Sequence, residues 1–368
     1  MSCLPSLRSD TPAQSERRAL SVATLLVALF MTCLHLTATR PFDLASFHQL
    51  VNFWAIEPFQ HRVLLPSLVG EIQRLAPVGE KLLFGLLQFG FWIALIQLAD
   101  RALAMFDIGR TPPARRLLAL TVVVPMLLHL IMPDIELTRT FALDDGVLDV
   151  GTWETRDIYY YVYDVPAAVF TLAMAMLLIR LARRPDIGGF IGYLALFAVA
   201  TLNRETTLFM LPFSALLFWR VLGIRDWLLL MAAQAAMFTA IQMPLQWLFA
   251  ININPIAMIQ VGDSQYELHL LGNLATLSNP LYLMTFIARF AAGLCIPLFL
   301  CRHYLDRHLA LALLGFALPL ALSALVVGRI VEHRVFIEMI PLVWLATLQA
   351  VARRSAHTSP DRRLAAMT

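Results

Sequence analysis

In a chain built mostly of Leu, Ala, Val and Phe, the residues able to do chemistry are few and grouped. Glu57, His61 and Arg62 stand together ahead of the apolar run RVLLPSLVGEIQRL at 62–75. An Arg presents a planar fork of paired donors that suits a phosphate; at a membrane surface it equally serves as an anchor among lipid headgroups. Asp43, in TRPFDLASFHQLV, is placed to take a proton from a hydroxyl or to hold a metal ion. It also has the form of a helix N-cap ahead of LASFHQL. Arg204 and Glu205 share the short segment NRET at 203–206. That segment reads either as a functional pair or as a solvated turn with a local ion pair.

Three further positions set charge against an apolar background. Asp164 ends the polar run RDIYYYVYD and lies a turn or so into an apolar stretch, where it needs a partner or a water-filled cavity. Asp157, seven residues earlier, shares its face if the segment is helical. Tyr160 and Tyr161 lie between them, and tyrosines there also fit an aromatic belt. Arg289 falls near the middle of an apolar span, where an unpaired charge costs a few kcal/mol or more. It is expected to face the bundle interior, toward Asp164 or a bound anion. Glu332, His333 and Arg334 crowd GRIVEHRVFIEMIPL at 328–342. Arg334 and Glu338, four apart, have the spacing of a pair on one helix face, and Arg334 alone reads as a snorkelling interfacial side chain.

The elements that position these residues follow from hydropathy. The 368 residues are 59% hydrophobic and only 14% charged, against about 25% charged in ordinary soluble domains. Apolar windows of bilayer-crossing length recur, and they lack the alternation of a barrel strand. The expectation is an all-α polytopic membrane protein. Its spans lie near 20–37, 82–105, 115–132, 158–181, 187–202, 205–222, 227–249, 279–301, 308–328 and 334–352, about ten in all. Residues 1–19 read as a disordered cytoplasmic segment, 20–352 as one transmembrane domain, and 353–368 as a cytoplasmic tail. Most of the 28 lysines and arginines fall on the inner side if both termini are inside, which satisfies the positive-inside rule. The loops at 39–80, 133–157 and 250–278 are then outer. Within the first of them, 47–56 and 62–75 carry apolar residues at helical spacing and are expected to lie as amphipathic helices on the outer surface. Pro66 belongs in a first turn or at a kink.

Several classes find no support. The four cysteines match no zinc or redox spacing, and no P-loop, GxGxxG, HExxH or GxSxG is present. No metal ligand set is assigned, although a divalent cation at Asp43 stays open. No basic face suits a nucleic acid. The near-exclusive use of Arg over Lys (Lys81 is the one lysine) fits a GC-rich bacterial source, and the bacterial cytoplasmic membrane is the expected location.

An Asp soon after the first span, surface helices, and HRVLLPSL within a large first outer loop resemble the GT-C superfamily of membrane glycosyltransferases. NRET and EHRVFIEMIPL are similar to stretches in bacterial multi-span proteins of this kind. Asp43 stands alone, without the paired acidic motif many relatives carry there. The resemblance implies transfer of a sugar from a polyprenyl-phosphate donor, among membrane lipids, at the outer face. Asp43 is then the general base. His61, Arg62, Arg204, Arg289 and Arg334 become candidates to bind the phosphate, whose charge develops in the transition state. Asp164 and Glu332 become candidates to orient hydroxyls, and Glu205 a candidate to bind substrate or phosphate. Two other classes are compatible with the residues: a transporter or flippase for a lipid-linked saccharide or small anion, and a non-catalytic subunit of an envelope-glycan assembly. Polar residues gathered at the outer face favour a transferase; a polar track to the midplane favours transport.

Overall fold

The computed structural model of the chain describes residues 12–56, 59–131, 135–137, 153–155, 159–250, 252, 269–328, 330 and 332–358. Glu57, Arg156 and Asp157 lie outside them, as do most acids of the second loop.

Helix dominates, as the apolar windows require. α1 (Pro12–Ala38) is followed by two short helices, α2 (Phe47–Val51) and α3 (Leu64–Leu75), and then by α4 (Glu80–Met105). α5 (Pro112–Ile131), α6 (Asp164–Arg183), α7 (Ile187–Asn203), α8 (Glu205–Phe218) and α9 (Ile224–Phe249) continue the bundle. α10 (Leu270–Leu277), α11 (Pro280–Arg289) and α12 (Cys295–Leu300) are short. α13 (Arg307–Val326) and α14 (His333–Thr358) complete it. Among the described residues, seven helices are long and apolar enough to cross a membrane. The chain is therefore an all-α, multi-pass membrane protein.

Helix starts follow the capping rules. Thr111, Asp186, Asn279 and Asp306 each accept a backbone N–H at an N-terminus, and Pro112 and Pro280 occupy first-turn positions. The core lies where α14 and α6 pass through the bundle, with 78% and 72% of their spans buried, whereas α1 and α9 are peripheral at 22%. Gly315 on α13 meets α8 so closely that a Cβ there would fall 2.4 Å from the Phe213 Cα. Only glycine permits that approach of two backbones.

Several expectations are corrected. α2 is capped by Ser46, which accepts the Gln49 N–H in a full capping box. Asp43 is exposed and is not the cap. The helix expected over 47–56 stops at Val51, and Pro66 does sit in the first turn of α3. The span expected from 158 begins only at Asp164. Before it, Tyr159–Tyr160 runs extended and pairs in parallel with Arg40–Pro41, and Pro166 suits the first turn that follows. The segment 279–301 is not one helix. Ala291, Ala292 and Gly293 all have left-handed backbone, with φ of 50°, 57° and 72°. For the two alanines this costs about 1–2 kcal/mol each, so the surroundings must impose it. The second loop contains an antiparallel pairing of Ile135–Leu137 with Trp153–Thr155.

Candidate functional site

Five stretches of chain meet at one end of the bundle: the 39–62 loop, the head of α6, the NRET turn, the segment at 332–334, and the first turns of α14. Their geometry starts with the tyrosine run. Extended backbone alternates its side chains, so Tyr160 turns into the bundle. There its hydroxyl bonds Gln88, whose amide reaches His35 Nδ1 at 2.6 Å. Tyr161 turns the other way, onto the loops. It stacks on Phe59 at 5.4 Å and lies 3.5 Å beneath the Arg334 guanidinium. Tyr163 packs under Arg62 at 4.3 Å, with Arg204 at 5.9 Å. Burial pushes the Tyr163 hydroxyl up to about 12, against the pull of Arg62, so it is a hydroxyl at any physiological pH. Guanidiniums and rings thus alternate through the cluster, and each such contact is stronger when dry.

The carboxylates complete it. Arg62, 7% exposed, donates through Nε and Nη2 to the two oxygens of Glu205 at 3.1 and 2.6 Å. Burial works against the Arg62 charge, but Glu205, Tyr163 and Asp164 together more than offset it and the guanidinium is held above its ordinary range. Arg204 Nη1 lies 3.3 Å from Asp164 and 3.1 Å from Glu338. Both of these acids are 1% exposed. Thr206 donates to both Glu338 oxygens at 2.6 and 2.7 Å. Arg334 pairs with Glu332 at 3.0 Å. Asn203 donates to the Tyr163 carbonyl at 3.2 Å. Every residue of NRET is therefore engaged. Tyr163 Oη, Asn203 Oδ1 and Arg204 Nε, all buried, have no hydrogen-bond partner among the described residues, and buried polar groups are ordinarily satisfied by protein, water or ligand.

Of the residues singled out from sequence, the fold brings together Arg62, Asp164, Arg204, Glu205, Glu332 and Arg334. It pairs them differently from the expectation. Arg204 and Glu205 are not a local pair: extended backbone at Arg204 (φ −161°, ψ 138°) sends neighbouring side chains to opposite sides. Arg334 does not pair with Glu338, because residues 333–339 form a 3₁₀ turn. With three residues per turn, positions four apart leave the common face. Arg289 does not reach Asp164, whose charged neighbours are Arg204, Arg334, Arg62 and Glu332. It ends α11 at the helix break, where its charge acts on His129 and His333. His61 turns aside, its ring 6.4 Å from Phe249 at the end of α9. Asp43 stays at the surface next to Phe42, which packs on Phe59 and Tyr159 at 5.5 and 5.0 Å. Glu338, Thr206 and Asn203 were missed as site residues. The signal for Glu338 was present, an acid inside the apolar run VFIEMIPL.

Chemically, three guanidiniums face four carboxylates, so the cluster carries an excess of negative charge when all are ionised. A free anion is not drawn to it as it stands. An anion enters by displacing Glu205 from Arg62 or Glu332 from Arg334, and these are the two more exposed acids, at 38% and 33%. Asp164 and Glu338 are locked on Arg204. Among the described residues, no group of three or more His, Cys, Asp or Glu is placed to hold a metal ion. In comparison with known proteins, no family model matches the chain, and no match was found among curated proteins.

Proposed function

We propose that the protein is a membrane glycosyltransferase that moves a sugar from a polyprenyl-phosphate donor to an acceptor hydroxyl on the outer face of a bacterial cytoplasmic membrane, with both termini inside. The observation that carries this reading is the convergence of Arg62, Arg204 and Arg334 with four carboxylates at the end of the bundle covered by the first loop. A sugar needs many short hydrogen bonds from carboxylates and hydroxyls; its phosphate leaving group needs guanidiniums. Arg62 and Arg334 exchange their carboxylate partners for the phosphate. Asp164, Glu338 and the unpartnered Tyr163 and Asn203 atoms take hydroxyls. Asp43, exposed beside the aromatic platform, takes the acceptor proton as the acceptor oxygen attacks the anomeric carbon. The test is release of free polyprenyl phosphate from donor lipid by the purified protein in nanodiscs. Asp43→Asn is expected to abolish release; full activity of that variant removes Asp43 from the chemistry.

One observation favours a second reading. A helix broken inside an apolar run, beside His129, Arg289 and His333, is the kind of feature on which transporters build their sites. Under that reading, vesicles containing the protein accumulate a lipid-linked saccharide without cleaving it.

A further inference from the structure

His129 lies in the apolar run MLLHLIM and is 4% exposed, yet both of its ring nitrogens are used. Nδ1 lies 2.8 Å from the carbonyl oxygen of His333, and Nε2 lies 2.9 Å from the backbone nitrogen of Ala291. A carbonyl only accepts and a backbone N–H only donates. The ring is therefore the neutral tautomer with its proton on Nδ1, a protein-imposed choice rather than a free one. Its two partners lie 42 residues apart in sequence, at Ala291 and His333. Ala291 is the first residue of the left-handed stretch that breaks α11 from α12, and is itself fully buried. His333 opens the 3₁₀ turn and directly precedes Arg334.

The surroundings leave little slack in this arrangement. Phe290 meets the His129 ring edge-on at 5.7 Å, and Phe286 stacks on His333 at 5.4 Å. Phe336 closes on both phenylalanines at 5.6 and 5.8 Å. Among these rings, with the Arg289 charge close by, the imidazole satisfies one backbone donor and one backbone acceptor. The strained turn and the start of the 332–334 segment are thus held by one side chain.

We propose that His129 is a positioning residue for the candidate site. By tying the helix break to the His333 carbonyl, it fixes the segment that sets Arg334 over Tyr161 and against Glu332. The site role of Arg334 rests on the functional reading above; the tie itself does not.

The test uses the full chain in nanodiscs with two variants. His129→Phe keeps a ring but has no donor or acceptor. His129→Gln keeps one of each. Hydrogen exchange is read at 286–294 and 332–338, and binding is read with farnesyl phosphate, with farnesol as the uncharged control. Loss of two buried hydrogen bonds predicts about ten-fold faster exchange in His129→Phe at both segments together, with recovery in His129→Gln. Farnesyl phosphate affinity is expected to fall about ten-fold and recover in parallel. Imidazole nitrogen shifts of the wild type should show a neutral Nδ1–H ring. Exchange that rises at one segment only, or an Nε2–H ring, overturns the proposal. If the wild type binds farnesyl phosphate no better than farnesol while exchange follows the prediction, the tie stands and the functional reading falls.

Discussion

The guanidinium of Arg62 grips the carboxylate of Glu205 with two parallel hydrogen bonds, 3.1 and 2.6 Å long, across 143 residues of chain. This pair joins the first loop to the NRET turn. Geometry of this kind is strong because both donors are fixed in one plane. Lysine offers a single point charge instead. Arg62→Lys is therefore expected to lower the thermal midpoint in detergent, and Arg62→Ala to cost about 2–3 kcal/mol, since Glu205 remains partly solvated. In a double-mutant cycle with Glu205→Gln, the double variant should be little worse than Arg62→Ala alone. Full additivity would mean that the pair contributes nothing.

Arg204 is the most consequential position in the cluster. Its removal leaves Asp164 and Glu338 buried without the guanidinium that both contact. Arg204→Met is expected to cost about 3–5 kcal/mol and to reduce the yield of folded protein. Adding Asp164→Asn should recover part of the loss by removing one stranded charge. Size-exclusion profiles and thermal midpoints of the two variants decide the matter.

Thr206 holds both oxygens of Glu338 with one hydroxyl. Thr206→Val preserves the shape and removes the donor, at a cost of about 1.5–3 kcal/mol for a bond to a charged group. Thr206→Ser keeps the hydroxyl and should behave nearly as wild type. Equal stability of the Val and Ser variants would show that the bond carries no weight.

At the opposite end of the bundle, Asp306 caps α13 through the His308 N–H at 2.9 Å and pairs with Arg353 at 2.8 Å. Burial alone would raise its carboxyl, but the His308 N–H, the Arg353 guanidinium and the His308 ring together hold it below the ordinary range. The folded value lies below the unfolded one, so the stabilisation is present above roughly pH 4 and is lost as pH falls through the folded value. Asp306→Ala should cost about 1 kcal/mol at neutral pH. Its difference from wild type should shrink in acid when midpoints are followed from pH 7 to 3.

Apolar length made seven long helices legible among the ten spans expected, while 187–202 and 205–222 gave shorter helices and 279–301 is broken; Arg62, Arg204 and Arg334 were legible because charge is scarce in such a chain. Their partners were not. The pairing of Arg334 with Glu338 presumed α-helical spacing where the backbone is 3₁₀. The shared face of Asp157 and Asp164 presumed a helix where Tyr159–Tyr160 pairs with Arg40–Pro41. The break after Arg289 was hidden because its left-handed residues Ala291 and Ala292 are the best helix formers. There the Ala291 N–H meets His129 Nε2 at 2.9 Å, a contact that no local pattern encodes. Glu338 was visible as a buried acid, but its bond to Thr206 spans 132 residues of sequence.

The central claim is that the cluster around Arg204 serves a polyprenyl-phosphate-sugar-dependent transferase. The most direct measurement is lipid mass spectrometry on source cells with the gene intact, deleted, or replaced by Asp43→Asn or Arg62→Lys. The account predicts build-up of a polyprenyl-phosphate sugar in the deletion and in both variants. An unchanged lipid-linked pool in the deletion would contradict it.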